Sequence, residues 1–340
     1  MRTHTGSRRR DAPPGTLART AAALLLLLAA GAARAVAVPG PLVDTAWLAR
    51  HLDEVLVMDV RGDPRTYAIP PRWQRDPRSG RRFLVQLGGH IPGAVLVEYK
   101  RVRAERVIDG RRVQKMLPPR AAFEKLMRGA GLDPGEAVVI VTEGYGPGDM
   151  TIATRVYWQL KYYGHDNVAI LDGGLLQWLL EGRPVETARP KVQTGRWKAG
   201  AGRRELLATS EDVAQAMKAG DVQLVDNRAL AQYFGLGKPP YVYAHGHIPG
   251  AKAFPNELFV SGEQGGARFL PPERLRALAR RLGIDPERPT ITYCNSGHLA
   301  SGGWFVLHEL LGNRKARLYD GSMHEWTLEG RPVATVEDGR

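Results

Sequence analysis

The chain runs to 340 residues, too long for one typical domain and suited to two. Its apolar fraction of 43% is that of an ordinary globular protein, which excludes collagen-like, heptad-repeat and largely disordered chains. The formal charge is +13; six Arg and one Asp in residues 1–35 supply +5 of it, and the remaining +8 is spread along the chain with no recognisable nucleic-acid module, so nucleic acid is not an expected partner.

The first 35 residues read as a signal peptide. Arg8, Arg9, Arg10 and Arg19 precede an apolar run from Ala21 to Ala30, and Ala33-Arg34-Ala35 or Ala35-Val36-Ala37 supplies a small-residue cleavage site. The run is short for a membrane span, and no other stretch is apolar enough to cross one. Ser7-Arg8-Arg9 hints at a twin-arginine signal, although Arg10 and Asp11 follow the pair where apolar residues are usual. The expectation is a periplasmic or secreted protein with no stable membrane insertion after cleavage.

From about residue 40 the chain alternates apolar strands with helices. Val55 to Val60, Ala137 to Val141 and Val168 to Leu171 suit buried strands, and Pro119 to Ala130 and Ile152 to Tyr163 suit helices. Between the first two strands lies an Arg-rich stretch from Arg72 to Arg82, read as a solvated basic face or, alternatively, a docking surface. Residues 186–203 are polar and rich in Gly, Pro and Arg, and read as a linker. The strand–helix order then returns: Val222 to Val225, Thr290 to Tyr293 and Ala316 to Tyr319 as strands, Pro272 to Leu282 and Leu299 to Leu311 as helices. Such alternation implies a parallel sheet with helices on both faces.

The two stretches are copies of one unit. Gly89-His90-Ile91-Pro92-Gly93-Ala94 recurs as Gly246-His247-Ile248-Pro249-Gly250-Ala251, and Asp59-Val60-Arg61 recurs as Asp226-Asn227-Arg228. Asp172-Gly173-Gly174 with Trp178 recurs as Asp320-Gly321-Ser322 with Trp326, and each copy closes on Leu-Glu-Gly-Arg-Pro-Val. The expected organisation is a signal peptide over 1–35, a first domain over 40–185, a linker over 186–203 and a second domain over 204–336. Trp178 and Trp326 are expected in the core, and His90 and His247 at the turns before strands.

The chain has one cysteine, Cys294, so no internal disulfide is possible. It follows the apolar strand Thr290-Ile291-Thr292-Tyr293 and precedes Asn295-Ser296-Gly297-His298 and a helix. That places a thiol at the carboxyl end of a parallel strand, where open α/β sheets bind ligands. Main-chain N–H groups of a tight loop favour the thiolate, which is the nucleophile, and would cradle the outer sulfur of a persulfide. No Cys/His cluster or H-E-x-x-H helix suggests a metal, and no cofactor is expected.

The string Cys294-Asn295-Ser296-Gly297-His298-Leu299-Ala300 resembles the C-x-x-G-x-x-A active loop of rhodaneses. The paired G-H-I-P-G-A, D-x-R and D-G-x-x-x-W strings resemble that family's other signatures, over nearly the whole chain after the leader. The resemblance is to tandem-domain thiosulfate and 3-mercaptopyruvate sulfurtransferases of the exported bacterial type. It implies an α/β protein of two tandem rhodanese-like domains, the second catalytic, the first inactive with Glu143 in place of the cysteine. It further implies a sulfurtransferase that moves a sulfane sulfur through a Cys294 persulfide to cyanide or a thiol. Asn295, Ser296, Gly297, His298 and Leu299 would form the substrate loop and Arg228 would bind the donor anion, or pair with Asp226 instead. Ser296 matches the mercaptopyruvate group, in which the His matching His90 assists, with Asp76 as a loose partner. The second Arg expected after the D-x-R motif is missing from Ala229 to Tyr233, and the loop lacks the basic residues of thiosulfate enzymes. The partners implied are a small anionic sulfur donor and a nucleophilic acceptor. A phosphatase of this fold would need an Arg late in the loop, and none is there. A non-enzymatic persulfide carrier serving an exported protein acceptor is the other alternative.

Overall fold

The computed structural model describes residues 1–4, 6, 36–263 and 265–338. The basic head, apolar run and cleavage site of the leader lie outside the described residues. Each repeat forms one five-stranded parallel sheet. In the first, the strands in chain order are Leu42–Val43, Val55–Arg61, Val95–Glu98, Ala137–Val141 and Val168–Leu171, and they lie side by side as first, fifth, fourth, second, third. In the second, Leu207–Ala208, Gln223–Asp226, Lys252–Ala253, Thr290–Tyr293 and Ala316–Tyr319 take the same order.

Alternate residues of each sheet face different cores. Met58, Val60, Val138, Ile140 and Ile170 face one cluster, while Val57, Val139, Val141, Ala169 and Leu171 face another. All five residues of Ala137–Val141 are buried, as a strand covered on both faces requires. The outer face of the first sheet is covered by Thr45–Arg50 and Gly174–Leu180, the inner face by Arg120–Gly129 and Pro147–Tyr162. The second sheet repeats this with Ser210–Ala219 and Ser322–Leu328 outside, Pro272–Arg281 and His298–Trp304 inside. The inner helices of the two halves meet, so both inner faces share one continuous core containing Trp158 and Trp304. Burying side chains of this size contributes roughly 1.5–3 kcal/mol each.

The expected helix over Leu299 to Leu311 is more irregular than its periodicity predicts. Phe305–Leu310 is wound as a π-helix, and the Leu311 amide donates five residues back to Val306. The predicted linker is bound along the first repeat: Gly195, Trp197 and Gly200 donate to the carbonyls of Arg128, Leu132 and Tyr163, and Trp197 packs on Phe123. Three two-stranded antiparallel ribbons went unpredicted, among them Arg72–Arg75 with Arg82–Gln86 in the Arg-rich stretch. Among the described residues no helix is long and apolar enough to cross a membrane.

The repeat strings act as closures. His90 exchanges two main-chain hydrogen bonds of 2.8 Å with Glu186, and His247 does the same with Ala334. The Nε1 of Trp178 donates to Pro184 and that of Trp326 to Pro332, both at 2.7 Å. Each unit is thus fastened by its last residues onto its own turn and tryptophan.

Candidate active site

Cys294 stands at the carboxyl end of the central strand of the second sheet and is 1% exposed. Gly297, at φ 73°, turns the chain into the helix His298–Trp304; a side chain there would run into Asp320 and Arg155. The Ser296 amide lies 3.5 Å from the Cys294 sulfur. Two other loop amides serve the loop itself: those of Cys294 and Gly297 donate to Ser322 Oγ at 3.0 and 3.1 Å, and that hydroxyl donates to the Tyr319 carbonyl at 2.8 Å. The Met323 and His324 amides hold the Cys294 and Asn295 carbonyls. Ser322 carries this bridge from a left-handed backbone, φ 51°, which is costly for a residue other than glycine.

The loop residues expected at the site follow Cys294 into the helix His298–Trp304. Asn295 is buried and donates to Gln232 Oε1 at 2.7 Å. Ser296 meets the Tyr241 hydroxyl. Leu299 is partly buried against the shared core. His298 places Nε2 3.0 Å from Thr151 Oγ1 of the first repeat, with its ring 5.0 Å from that of Tyr99. Burial, with Arg103 and Arg155 nearby, pulls its imidazole down to about 3. It is therefore neutral at physiological pH and can act only as a neutral donor or acceptor.

Two expected roles fail. Arg228, expected to bind the donor anion, is 1% exposed and forms the alternative ion pair. Its Nε and Nη2 bond Asp226 at 2.6–3.0 Å, and Nη2 also holds the Gly246 carbonyl at 2.8 Å. Arg61 repeats this with Asp59 and Gly89 in the first half, so the D-x-R motif fastens a turn. A buried guanidinium needs such a partner to offset its desolvation. His90, expected to assist, is fully buried, stacked 3.8 Å from the Tyr67 ring and bonded to the Tyr67 carbonyl. His247 makes the same stack with Tyr233, so among the described residues both histidines bond within their own turns. Asp76 caps an exposed turn through Arg78 and Ser79.

The register also moves the comparison between repeats by one residue. Tyr293 pairs with Asp226, as Val141 pairs with Asp59, so Thr142 occupies the position of Cys294 and Glu143 that of Asn295. The amides of Leu175 and Met323 bond the carbonyls of Thr142 and Cys294 in turn. Like a carboxylate, a threonine hydroxyl cannot carry a persulfide. In this first loop the amides of Gly144 and Tyr145 are taken by the Asp149 carboxylate, which burial pushes up to about 6.

Sequence reasoning missed what the first repeat contributes. Arg155, on the helix Pro147–Tyr162, reaches the second repeat, pairing with Asp320 at 2.5 Å and bonding the Gly297 carbonyl at 3.2 Å. Asp320 also accepts the Leu117 amide at 2.6 Å. Tyr99, Arg103 and Lys115 line the other side, with the Lys115 ammonium 3.6 Å from the Tyr241 ring centre. A lone arginine within the predicted helix Ile152 to Tyr163 was the one available signal.

Comparison with known proteins agrees with this geometry. A family model described as a rhodanese-like domain matches residues 44–181 and again 209–329. The sulfur carrier protein TtuD of Thermus thermophilus is 32% identical over 312 residues, covering 88% of this chain and 98% of the relative. The thiosulfate sulfurtransferase of Bos taurus is 30% identical over 305 residues, covering 88% and 96%. Among solved structures, the 3-mercaptopyruvate sulfotransferase SseA of Escherichia coli superposes with a TM-score of 0.66 at 26% identity, over 83% of this chain and 98% of that one.

Proposed function

Because the chain belongs to the rhodanese family and is a sulfurtransferase, we propose that Cys294 is its sulfur carrier and that thiosulfate or a related sulfane compound is its donor. The Cys294 thiolate attacks the outer sulfur of thiosulfate. A new S–S bond forms, the old one breaks, and sulfite leaves with the electron pair. A thiolate or cyanide acceptor then attacks the outer sulfur of the persulfide and returns Cys294 as thiolate. This is covalent catalysis with ping-pong kinetics.

The observation that carries the reading is the placing of the one cysteine. It ends the central strand, its sulfur faces the Ser296 amide, and Ser322 and Arg155 hold the loop in shape. Asn295, Ser296, Gly297, His298 and Leu299 are the loop that meets the donor in this reading, and Arg228 and His90 are structural. 3-Mercaptopyruvate is a second donor, favoured by Ser296 and the likeness to SseA. Transfer to a protein acceptor, as a carrier, is favoured by the likeness to TtuD. The basic head and apolar run of residues 1–35 support export to the periplasm or beyond.

Intact mass after incubation with thiosulfate, and separately with 3-mercaptopyruvate, tests the chemistry. The expected result is gain of one sulfur, removed by cyanide and absent in Cys294→Ala. No gain from any donor would overturn it. The amino-terminal residue of the protein recovered from a periplasmic fraction tests export; an intact Met1 in the cytoplasm would overturn that part.

A further inference from the structure

The Cys294 loop is short of free positive charge. The loop from Asn295 to Ala300 contains no Lys or Arg. Arg228 is bonded to Asp226, Arg155 to Asp320, and neutral Gln232 is bonded to Asn295. An anionic donor approaching a thiolate nonetheless needs counter-charge, most of all where water is excluded.

Two cations without an ion-pair partner among the described residues come from the first repeat. Arg103 precedes, and Lys115 lies within, the base of the ribbon Ala104–Ile108 with Arg111–Met116, where Ala104 pairs with Met116 and the register shifts. The Lys115 ammonium lies 3.6 Å from the Tyr241 ring centre, and the Tyr241 hydroxyl meets Ser296. The Arg103 guanidinium lies 4.2 Å from the Tyr99 ring centre, and the Tyr99 ring is 5.0 Å from that of His298. Each cation thus reaches the Cys294 loop across one aromatic ring. Among the described residues neither forms an ion pair, although Arg112 on the same ribbon pairs with Glu105. Arg103 Nε, the Tyr99 hydroxyl and Asn295 Oδ1 are buried with no partner. Lys115 holds a left-handed backbone at φ 63°, a strained conformation of the kind that gathers at ligand sites. Burial and the facing Arg103 push its ammonium below the usual lysine range, while the Cys294 charge pulls the other way.

We infer that Arg103 and Lys115 bind the donor anion, so that the repeat without the thiol selects the donor. This rests on the sulfurtransferase reading and extends it. Two cations suit a small dianion such as thiosulfate, whose sulfonate oxygens take N–H bonds from both while the outer sulfur faces Cys294. The counter-charge that the Cys294 loop lacks is here supplied by the first repeat.

The test is persulfide loading of the full-length protein at graded thiosulfate concentrations, followed by mass. Arg103→Gln and Lys115→Gln are each expected to raise the donor KM by about tenfold, the loss of one hydrogen bond to a charged group. Discharge of the loaded persulfide by dithiothreitol should keep its wild-type rate. Lys115→Arg and Arg103→Lys should recover most of the affinity, and they stand in where a Gln variant fails to fold. Arg112→Gln removes the same charge from the exposed end of the ribbon and should leave KM unchanged. Loading of the double Gln variant at the wild-type rate, or an equal effect of Arg112→Gln, would overturn the inference with the sulfurtransferase reading intact. Failure of the wild-type protein to load from any donor would remove that reading instead.

Discussion

The two repeats share one sheet order, one closing motif and one Asp–Arg clasp, yet they treat the loop after the central strand in opposite ways. In the first repeat, Asp149 fills the loop with a carboxylate that takes the Gly144 and Tyr145 amides. In the second, the Ser322 hydroxyl bridges the Cys294 and Gly297 amides from behind, and the Ser296 amide is left to the sulfur. The lesson is that the fold offers an anion cradle twice. One cradle is closed by the protein's own side chain, and the other is left for a reactive sulfur.

The hardest blow to that comparison is to exchange the thiol. Cys294→Ser should lower turnover by on the order of a thousandfold or more, since in the proposed mechanism the sulfur is itself the covalent carrier. Thr142→Cys places a thiol at the matching position of the first repeat, and in a Cys294→Ser background it should gain no sulfur from thiosulfate. Mass measured after incubation decides it. A loaded Cys at 142 would mean that Asp149 does not close the first cradle.

Arg155→Met attacks the seam between the repeats. It leaves Asp320 buried without its cation, with Leu117 as the remaining hydrogen-bond partner across the seam. Removing one member of a buried pair typically costs about 3–5 kcal/mol. The shift in denaturant midpoint measures it, and a loss below about 1 kcal/mol would show the pair to be dispensable.

A difference between Glu325 and Gln177, which hold matching positions, sharpens the comparison through pH. Burial, with Glu329 and Asp320 close by, raises the Glu325 carboxyl from 4.5 to about 7. The folded protein keeps a proton that the unfolded chain gives up between those values. Stability therefore falls as pH rises through that window, by up to about 3 kcal/mol from this group. Glu325→Gln, which copies the first repeat, should match the wild type below the window and exceed it in melting temperature above it. Parallel melting curves across the window would rule out a raised carboxyl.

Much of the scaffold was legible because its central strands are unbroken apolar runs. Ala137–Val141 and Thr290–Tyr293 could be read to the residue. Edge strands such as Leu42–Val43 and Lys252–Ala253 are two residues long and leave no periodic trace. Cys294 was legible as a lone thiol after a strand, but Arg228 was misread because D-x-R spacing does not say whether the arginine turns back on its own aspartate. Glu143 was matched to Cys294 because the two loops differ in length, and only the pairing register shows that Thr142 is the counterpart. Arg103, Lys115 and Arg155 come to the second repeat only when the halves pack together, across separations far longer than any local pattern encodes.

The smallest change reaches furthest into that contrast. Ser322 and Gly174 occupy matching positions with similar left-handed backbones, φ 51° and 59°. Glycine adopts this conformation freely, whereas serine carries a strain of about 1 kcal/mol. Ser322→Gly relieves the strain but removes the acceptor for the Cys294 and Gly297 amides, worth about 1 kcal/mol each. The lost hydrogen bonds outweigh the relieved strain, so stability should fall by about 1 kcal/mol while persulfide loading slows roughly tenfold as the loop loses its shape. Ser322→Ala loses the same acceptor and keeps the strain, so it should be less stable than the glycine variant by about 1 kcal/mol. If alanine and glycine prove equal, the backbone there is not strained. If the glycine variant loads as fast as the wild type, the hydroxyl does not shape the cradle, and the difference between the repeats lies in Asp149 and the thiol alone.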